Sequence, residues 1–408
     1  MLTRRTFARL HTWLLLALIS IVCLAGALVI SLAVELPADN EFNFARWEMR
    51  HLPGKWLYLT GQFFRGDLSG SEEDQRMGRF LVVSARVRLL ERTFSADDAA
   101  QRKELALLLS ERDDLENDVE AIVEGRLTKL LEEAGLESSL PFFPDARWVF
   151  PPVDVEFDEP PRVLAVSPRE RIELIEQRPL RAGLALQDVV QVEEAVEEDG
   201  GRSALVEGRA GVAAYPSIVA PRGEYQQLVG TIAHEWVHHY LTFKPLGSRY
   251  FSGVELQTLN ETVADLVGDE LGALIVQRYP LLEDVESELA ELAGEGTSID
   301  VGDVLRRLRL DVERLLAGGE IEAAEALMEE RRRELADKGV LFRRINQAFF
   351  ASRSLYANTP ASIDPIGGKV QALRERSGSV GAFLQAAAQL TSEADLDRVL
   401  EESTSTRP

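Results

Sequence analysis

The sequence predicts an α+β protein that is mainly helical and carries one transmembrane helix at its N-terminus. Three observations support this fold class: an uncharged apolar run near the start, a proline-bounded central stretch of alternating apolar residues, and helical periodicity on both sides of that stretch. With 408 residues the chain exceeds the length at which one hydrophobic core usually suffices, so we expect at least two folded units.

The N-terminal region has the pattern of a membrane anchor. Residues 13–34 contain no charged side chain and are long enough to cross a bilayer as a helix. Three arginines precede this segment and acidic residues follow it, which predicts a cytoplasmic tail at 1–11, an anchor at 12–35 and an extracytoplasmic remainder. A cleaved signal peptide is the alternative, because a small-x-small sequence ends at Ala33.

The region at 36–140 is predicted to be helical. Leu108, Leu115 and Ile122 recur at seven-residue spacing, which is typical of a helix but too short a repeat for a coiled coil. We therefore expect an amphipathic helical hairpin close to the membrane. The alternative is that this region binds a membrane partner and presents the rest of the chain to it.

The region at 141–280 is predicted to combine a small mixed sheet with two long helices. Prolines and alternating apolar residues in "PFFPDARWVFPPVDVEF" and "ALVEGRAGVAAYPSIVAP" indicate short strands. Residues 281–398 are again helical, with a hairpin expected to turn at Gly318-Gly319, and "IDPIGG" near residue 366 indicates a turn that ends a helix. Residues 399–408 form a polar tail.

Charge and cysteine content limit the possible partners. The formal net charge is -23, from 68 acidic and 45 basic residues, and such a surface repels nucleic acid. We therefore expect no nucleic-acid partner. The single cysteine, Cys23, lies in the apolar run, so the chain can form neither an intrachain disulfide nor a Cys-x-x-Cys metal site. Any metal must be bound by His, Asp or Glu.

The segment "IAHEWVHHYLT" at residues 232–242 has two histidines four residues apart, with a glutamate directly after the first. On a helix, His234 and His238 lie on one face, whereas the apolar stripe around Trp236 lies on the other side. The histidines therefore face a cleft rather than the core. Two imidazoles at this spacing can bind zinc, and Glu235 can act as the general base. This predicts Zn2+ as the cofactor and hydrolysis as the reaction.

A third ligand is expected on a second helix, in "LNETVADLVGDELGALIV". Glu261 can supply a carboxylate oxygen to the metal, and Asp265, one turn later, can accept the N–H of a ligating imidazole. Gly268 and Gly272 share this face and would let the helix approach its partner closely. A solvated acidic face is the alternative, but it does not explain the glycines.

The two motifs resemble those of the gluzincin metallopeptidases, which include thermolysin and the membrane-bound M48-type proteases. The matching residues, in a stretch of roughly 205–275, are His234, Glu235, His238, Asn260, Glu261 and Asp265. The resemblance implies a zincin-like catalytic core in which His234, His238 and Glu261 bind zinc. It implies further that Glu235 is the base and that Asp265 and Asn260 support the ligands by hydrogen bonds. The strings HEWVHHYL and NETVADLVG are also similar to bacterial membrane-anchored proteins predicted to be metallopeptidases.

Two further features receive roles from this resemblance. In gluzincins an edge strand before the zinc helix usually holds the substrate backbone, and "GVAAYPSIVA" at 211–220 occupies that place in the order; a plain core strand is the alternative. A group that stabilises the oxyanion is expected across the cleft. Tyr356 is the candidate, with aromatic packing at a helix end as the alternative. The chain lacks a Gly-x-Met-Glu-Asn sequence, which argues against an aminopeptidase.

Together these features predict a zinc-dependent peptidase, attached to the membrane through residues 13–34, that acts on a peptide or protein outside the cytoplasm. The first alternative is a non-catalytic scaffold in which a metal with four protein ligands clamps helices together. The second is a membrane protein that binds a partner. The same ligands would also accept cobalt or manganese in place of zinc.

Overall fold

The computed structural model describes residues 40–51, 55, 68–92, 95, 98–140, 143–294, 299–359 and 362–405. This part of the chain is mainly helical with small β-sheets, which confirms the α+β class. The predicted tail and anchor at 1–35 lie outside the described residues. Within the described ranges, no helix combines the length and the apolar character needed to cross a bilayer.

The helices and strands follow one another along the chain in a mixed order. The helices are α1 (Gly70–Arg92), α2 (Ala99–Glu133), α3 (Leu186–Glu197), α4 (Tyr225–Thr242), α5 (Pro245–Ser248), α6 (Val254–Arg278), α7 (Glu283–Ala293), α8 (Val301–Ala317), α9 (Ile321–Asp337), α10 (Gln347–Arg353), α11 (Pro365–Arg376), α12 (Val380–Ala387) and α13 (Glu393–Ser405). The strands are β1 (Glu137–Leu140), β2 (Phe143–Val149), β3 (Val155–Phe157), β4 (Arg162–Pro168), β5 (Glu176–Leu180), β6 (Arg202–Glu207), β7 (Gly211–Val212) and β8 (Ser217–Val219). A 3-10 helix, Tyr250–Ser252, lies between α5 and α6, and residues 44–51 are also helical.

Two compact units make up the described chain. The first contains the described chain up to Glu159, together with Ala210–Trp236 and Asp269–Gly294. The second contains Pro160–Arg209, Val237–Gly268 and the described chain from residue 299 onwards. Each unit is therefore assembled from segments that are far apart in the sequence, and α4 and α6 each contribute residues to both.

The first unit contains a helical hairpin and two small sheets. Val83 and Val87 of α1 pack on Leu108 of α2 in one apolar cluster. Asp98 caps α2, because its carboxylate accepts hydrogen bonds from the first amides of that helix. Strands β1 and β2 pair antiparallel, and a second sheet has the strand order β3-β8-β7. Among the described residues β7 has a strand neighbour on one side only, so it is an edge strand of this sheet.

The second unit is built on an antiparallel sheet of order β5-β4-β6. Helix α3 covers one face through a cluster that includes Leu164 of β4 and Val189 of α3. Helices α8 and α9 form a hairpin, with Leu308 and Met328 in a shared core. The chain turns at Gly319, whose φ of 76° is in the left-handed region that favours glycine. The predicted hairpin is therefore confirmed.

The prediction for "IDPIGG" is wrong, because this segment begins a helix. Asp364 caps α11 by accepting a hydrogen bond from the amide of Ile366, and Pro365 occupies the first turn. Proline is compatible with that position since the first amides of a helix have no partner within the helix.

Helices α4 and α6 pack closely in the first unit. A Cβ atom added to Gly272 of α6 would lie 2.8 Å from Gln226 O and 3.1 Å from Gly230 Cα of α4. Only glycine allows two helix backbones to approach this closely at that point. The predicted close approach of α6 through Gly272 is confirmed.

Candidate metal centre

Helix α4 is oriented by its apolar stripe. Ile232 and Trp236 are buried, and the indole Nε1 of Trp236 donates a 2.8 Å hydrogen bond to Pro151 O. His234 and His238 remain partly exposed. Because one side of the helix is held in the core, the histidine side chains are directed away from it.

His234, Glu235 and His238 form a cluster of possible metal ligands within one turn of α4. Their ligand atoms, one from each residue, all lie within 4.8 Å of one another. The spacing of four residues places the two imidazoles on one face of the helix. Glu235 is buried. Imidazoles and a carboxylate at this separation are suitable ligands for a divalent transition metal.

The position and tautomer of His238 are set by Asn260 of α6. His238 Nδ1 lies 2.8 Å from Asn260 Oδ1. Since that oxygen can only accept a hydrogen bond, the proton resides on Nδ1. Asn260 is itself buried, so the contact is shielded from water. The lone pair on Nε2 of His238 is therefore available to bind a metal ion.

Glu261, the next residue on α6, lies beside that nitrogen. Its Oε2 is 3.5 Å from His238 Nε2, and the side chain is buried. This separation is longer than an ordinary N–H···O hydrogen bond. Two ligand atoms on a tetrahedral zinc ion, each about 2.0 to 2.1 Å from the metal, are about 3.3 to 3.4 Å apart. His238 and Glu261 therefore fit one shared cation.

Tyr250 belongs to the same environment and was not singled out from the sequence. Its hydroxyl donates a hydrogen bond to Glu261 Oε1 and accepts one from Gln257 Nε2 at 3.2 Å. Its ring meets the His238 ring edge-on, with centroids 6.1 Å apart. Burial and the Glu261 carboxylate raise the pKa of Tyr250 above its usual value. The one signal in the sequence is a tyrosine in the short connection between the two motifs.

Tyr356, the predicted oxyanion group, is held by Arg209. Arg209 Nη1 donates a 2.6 Å hydrogen bond to the Tyr356 hydroxyl. Burial by itself lowers the pKa of Arg209, but Tyr356, Glu261 and Glu207 outweigh it and raise that pKa. Arg209 is thus a cation close to both Tyr356 and Glu261. Arg209 precedes β7 and lies outside both motifs, so no pattern in the sequence singles it out.

Some of the predicted site residues are in contact in the structure, and for others the predicted contact is not shown. His234, Glu235 and His238 are together on α4, and His238, Asn260 and Glu261 meet in the second unit. Asp265 lies one turn after Glu261 and is partly exposed. Its hydrogen bond to an imidazole stays a prediction, whereas the imidazole contact of Asn260 is present in the structure.

Strand β7 lies against the candidate base. A Cβ atom added to Gly211 would be 2.5 Å from Glu235 Oε1 and 2.8 Å from Thr231 Cγ2. Gly211 pairs with Val219 of β8, and the other side of β7 has no strand among the described residues. An extended chain could therefore add to this edge next to the carboxylate.

Comparison with known proteins gave no matching family model, no similar curated protein and no similar solved structure.

Proposed function

We propose that the protein is a zinc-dependent peptidase in which Glu235 activates the attacking water. The observation that carries this proposal is the arrangement around His238. Its Nδ1 is fixed by Asn260, and its Nε2 lies 3.5 Å from the buried Glu261 Oε2. Two ligand atoms at this separation, on helices that bear the His-Glu-x-x-His and Asn-Glu motifs, support a shared divalent ion.

His234, His238 and Glu261 are the residues proposed to hold zinc. When bound, zinc polarises the scissile carbonyl and makes a water molecule more acidic. Three protein ligands are typical of catalytic zinc sites, whereas structural sites have four. The proposed ligand set therefore favours catalysis over a metal-stabilised scaffold.

Glu235 is the proposed general base. Its carboxylate lies in contact distance of the Gly211 backbone and within 4.8 Å of the ligand atoms of both histidines. It accepts a proton from the attacking water and then donates it to the departing amine nitrogen. The short distance from base to edge strand supports the idea that a peptide bound to β7 has its scissile bond near Glu235.

Tyr250 is a stronger candidate than Tyr356 for stabilising the oxyanion. Its hydroxyl lies on the proposed ligand Glu261, and its ring contacts His238. The Tyr356 hydroxyl accepts a hydrogen bond from Arg209 Nη1. To stabilise charge on the carbonyl oxygen, the Tyr250 hydroxyl would turn its one proton from Glu261 Oε1 toward that oxygen.

The membrane attachment is also part of the proposal. It rests on the uncharged segment at 13–34 and on the arginines that precede it. The candidate site follows this segment in the chain, so the peptidase would act outside the cytoplasm on a peptide or protein substrate.

The variant Glu235→Gln tests the mechanism. We expect it to retain stoichiometric zinc, because the proposed ligands are untouched, and to lose hydrolysis of a peptide library by at least about 1000-fold. Zinc content is measured by elemental analysis and cleavage by mass spectrometry. The matched control is Glu286→Gln, an exposed glutamate on α7, which should keep full activity.

Two results would contradict the proposal. Retained peptide hydrolysis in Glu235→Gln would remove the assigned base. A metal with four protein ligands, measured by X-ray absorption on the purified protein, would favour the non-catalytic scaffold.

A further inference from the structure

Arg209 is half-buried and has no carboxylate partner among the described residues, unlike Arg344 and Arg353 of the same unit. Among the described residues it forms no salt bridge, and its one side-chain hydrogen bond goes to Tyr356. Arg353 by contrast pairs with Glu207 at 3.0 Å, and Arg344 pairs with Glu193 at 3.0 Å. Arginine is rarely shielded from water without a counter-charge. Arg209 therefore has guanidinium donors available for an anionic ligand.

The charges around Arg209 change when a divalent cation occupies the candidate centre. The carboxylates of Glu261 and Glu207 are close enough to raise the pKa of Arg209 by their charge. Glu207 is already bound by Arg353 and by the Ser352 hydroxyl. A divalent cation bound by Glu261 would neutralise the negative charge of that carboxylate. The surroundings of Arg209 would then be positive, in a chain whose net charge is -23.

We infer that Arg209 is a specificity residue that binds a carboxylate of the substrate. This inference rests on the proposed peptidase function and names its substrate class: peptides with a carboxylate close to the scissile bond. The planar guanidinium matches a carboxylate with two parallel hydrogen bonds, which a lysine or a neutral donor cannot provide. Arg209 Nη1 donates a hydrogen bond to the Tyr356 hydroxyl, and this contact orients the remaining guanidinium donors.

The carboxylate can come from a free C-terminus or from an acidic side chain. In the first case the protein removes a short C-terminal piece, and in the second it cleaves within a chain beside Asp or Glu. Both sources present the same group to Arg209. Three otherwise identical peptides distinguish them: one with a free C-terminus, one with a C-terminal amide, and one amide in which a Gln is replaced by Glu.

Binding of these peptides is measured by calorimetry on zinc-loaded Glu235→Gln protein, which separates recognition from turnover. We expect one of the two carboxylate peptides to bind about 10- to 100-fold more tightly than the neutral amide. Arg209→Gln should abolish this preference, and Arg209→Lys should retain only part of it. The matched control is Arg162→Gln, because Arg162 is half-buried in the same unit with one hydrogen bond, to Ala182 O.

The outcomes separate this inference from the proposed function. A carboxylate preference that disappears in Arg209→Gln and persists in Arg162→Gln supports the inference. Equal binding of all three peptides by the parent protein, binding of none, or a preference that survives in Arg209→Gln overturns it. If the unmodified protein cleaves peptides without any carboxylate preference, the peptidase function stands and this inference falls. If carboxylate peptides bind through Arg209 but no peptide is cleaved, this inference stands and the peptidase function falls.

Discussion

Asn260 and His238 determine, as a pair, which imidazole nitrogen can bind a metal. The Asn260 oxygen accepts from Nδ1 at 2.8 Å, so Nε2 is left as the basic atom beside Glu261. Hydrogen bonds of this kind fix the ring orientation and raise the basicity of the ligand. The amide of Asn260 is thus expected to contribute to metal affinity without touching the metal.

Replacement of Asn260 by Ala should weaken zinc binding by about 10- to 100-fold, because the imidazole loses its support. Asn260→Asp is the matched variant, since it keeps an acceptor oxygen, and it should retain most of the affinity. The dissociation constant is measured by competition with a chromophoric chelator. An unchanged affinity in Asn260→Ala would show that His238 is held by other contacts.

Residue identities at the candidate centre were largely predictable from spacing. Histidines at 234 and 238 must share a helical face, and Asn260 and Glu261 were singled out by the second motif. Tyr250 and Arg209 were not predicted. Their contacts with Glu261 and Tyr356 arise from the path of the 3-10 helix and of the segment before β7, and neither path has a periodic signature in the sequence.

At the scale of single elements, β7 and α4 depend on one another at Gly211. The strand can lie against Glu235 only because position 211 has no side chain. Its partner strand β8 holds β7 through the pairs Gly211–Val219 and Val212–Ile218. The edge strand and the candidate base are therefore positioned by the same contact.

The variant Gly211→Ala should lower kcat by about 100-fold, because the added methyl group displaces the Glu235 carboxylate by roughly an ångström. Zinc content should be unchanged, since the histidines are not contacted. Peptide hydrolysis and zinc content are measured together. Gly208→Ala is the control, as a Cβ there meets nothing within 4 Å. Equal activity of both variants would separate Glu235 from catalysis.

The sequence predicted elements best where the pattern was long. Helices α4 and α6 and the turn between α8 and α9 agree with apolar periodicity and paired glycines. The segment "IDPIGG" was misassigned, because proline is common both just after the end of a helix and in the first turn of a helix. Only the hydrogen bond from the Ile366 amide to Asp364 distinguishes the two.

At the scale of the whole molecule, the acidic character of the chain extends into its interior. Lys55 Nζ lies 2.8 Å from Asp154 and 3.0 Å from Glu124, and Glu120 is also close. Burial raises the pKa of Glu120 and Glu124 to about 8 in spite of that lysine. The effect of burial on the pKa of these two glutamates therefore exceeds the opposing effect of the Lys55 charge.

These groups make stability depend on pH. Burial, and then the neighbouring carboxylates, raise the pKa of Glu116 to about 8, whereas an unperturbed glutamate has 4.5. The folded protein thus holds protons that the unfolded chain releases. The stabilisation of the folded state by this proton uptake is complete below about pH 4.5 and is lost as the pH rises through 8. We expect the melting temperature to fall between pH 5 and about 8.5, as measured by calorimetry.

Glu116→Gln should make this dependence shallower, because one group that binds a proton on folding is removed. The exposed Glu104 on the same helix is the matched control, and Glu104→Gln should leave the slope unchanged. A melting temperature that rises steadily over this range would mean that the carboxyl groups around Lys55 are ionised in the folded protein.

The sequence by itself determined the α+β class, the two long helices and the residue types that can bind a metal. Helical periodicity and a four-residue spacing are local properties of the chain, and local patterns need no knowledge of the partner segment. Only the tertiary structure decided that Asn260 meets His238, that Tyr250 caps Glu261 and that Arg209 lies close to this carboxylate without an ion pair. Such contacts join segments that are distant in sequence, and they depend on how the helices pack rather than on any pattern along the chain.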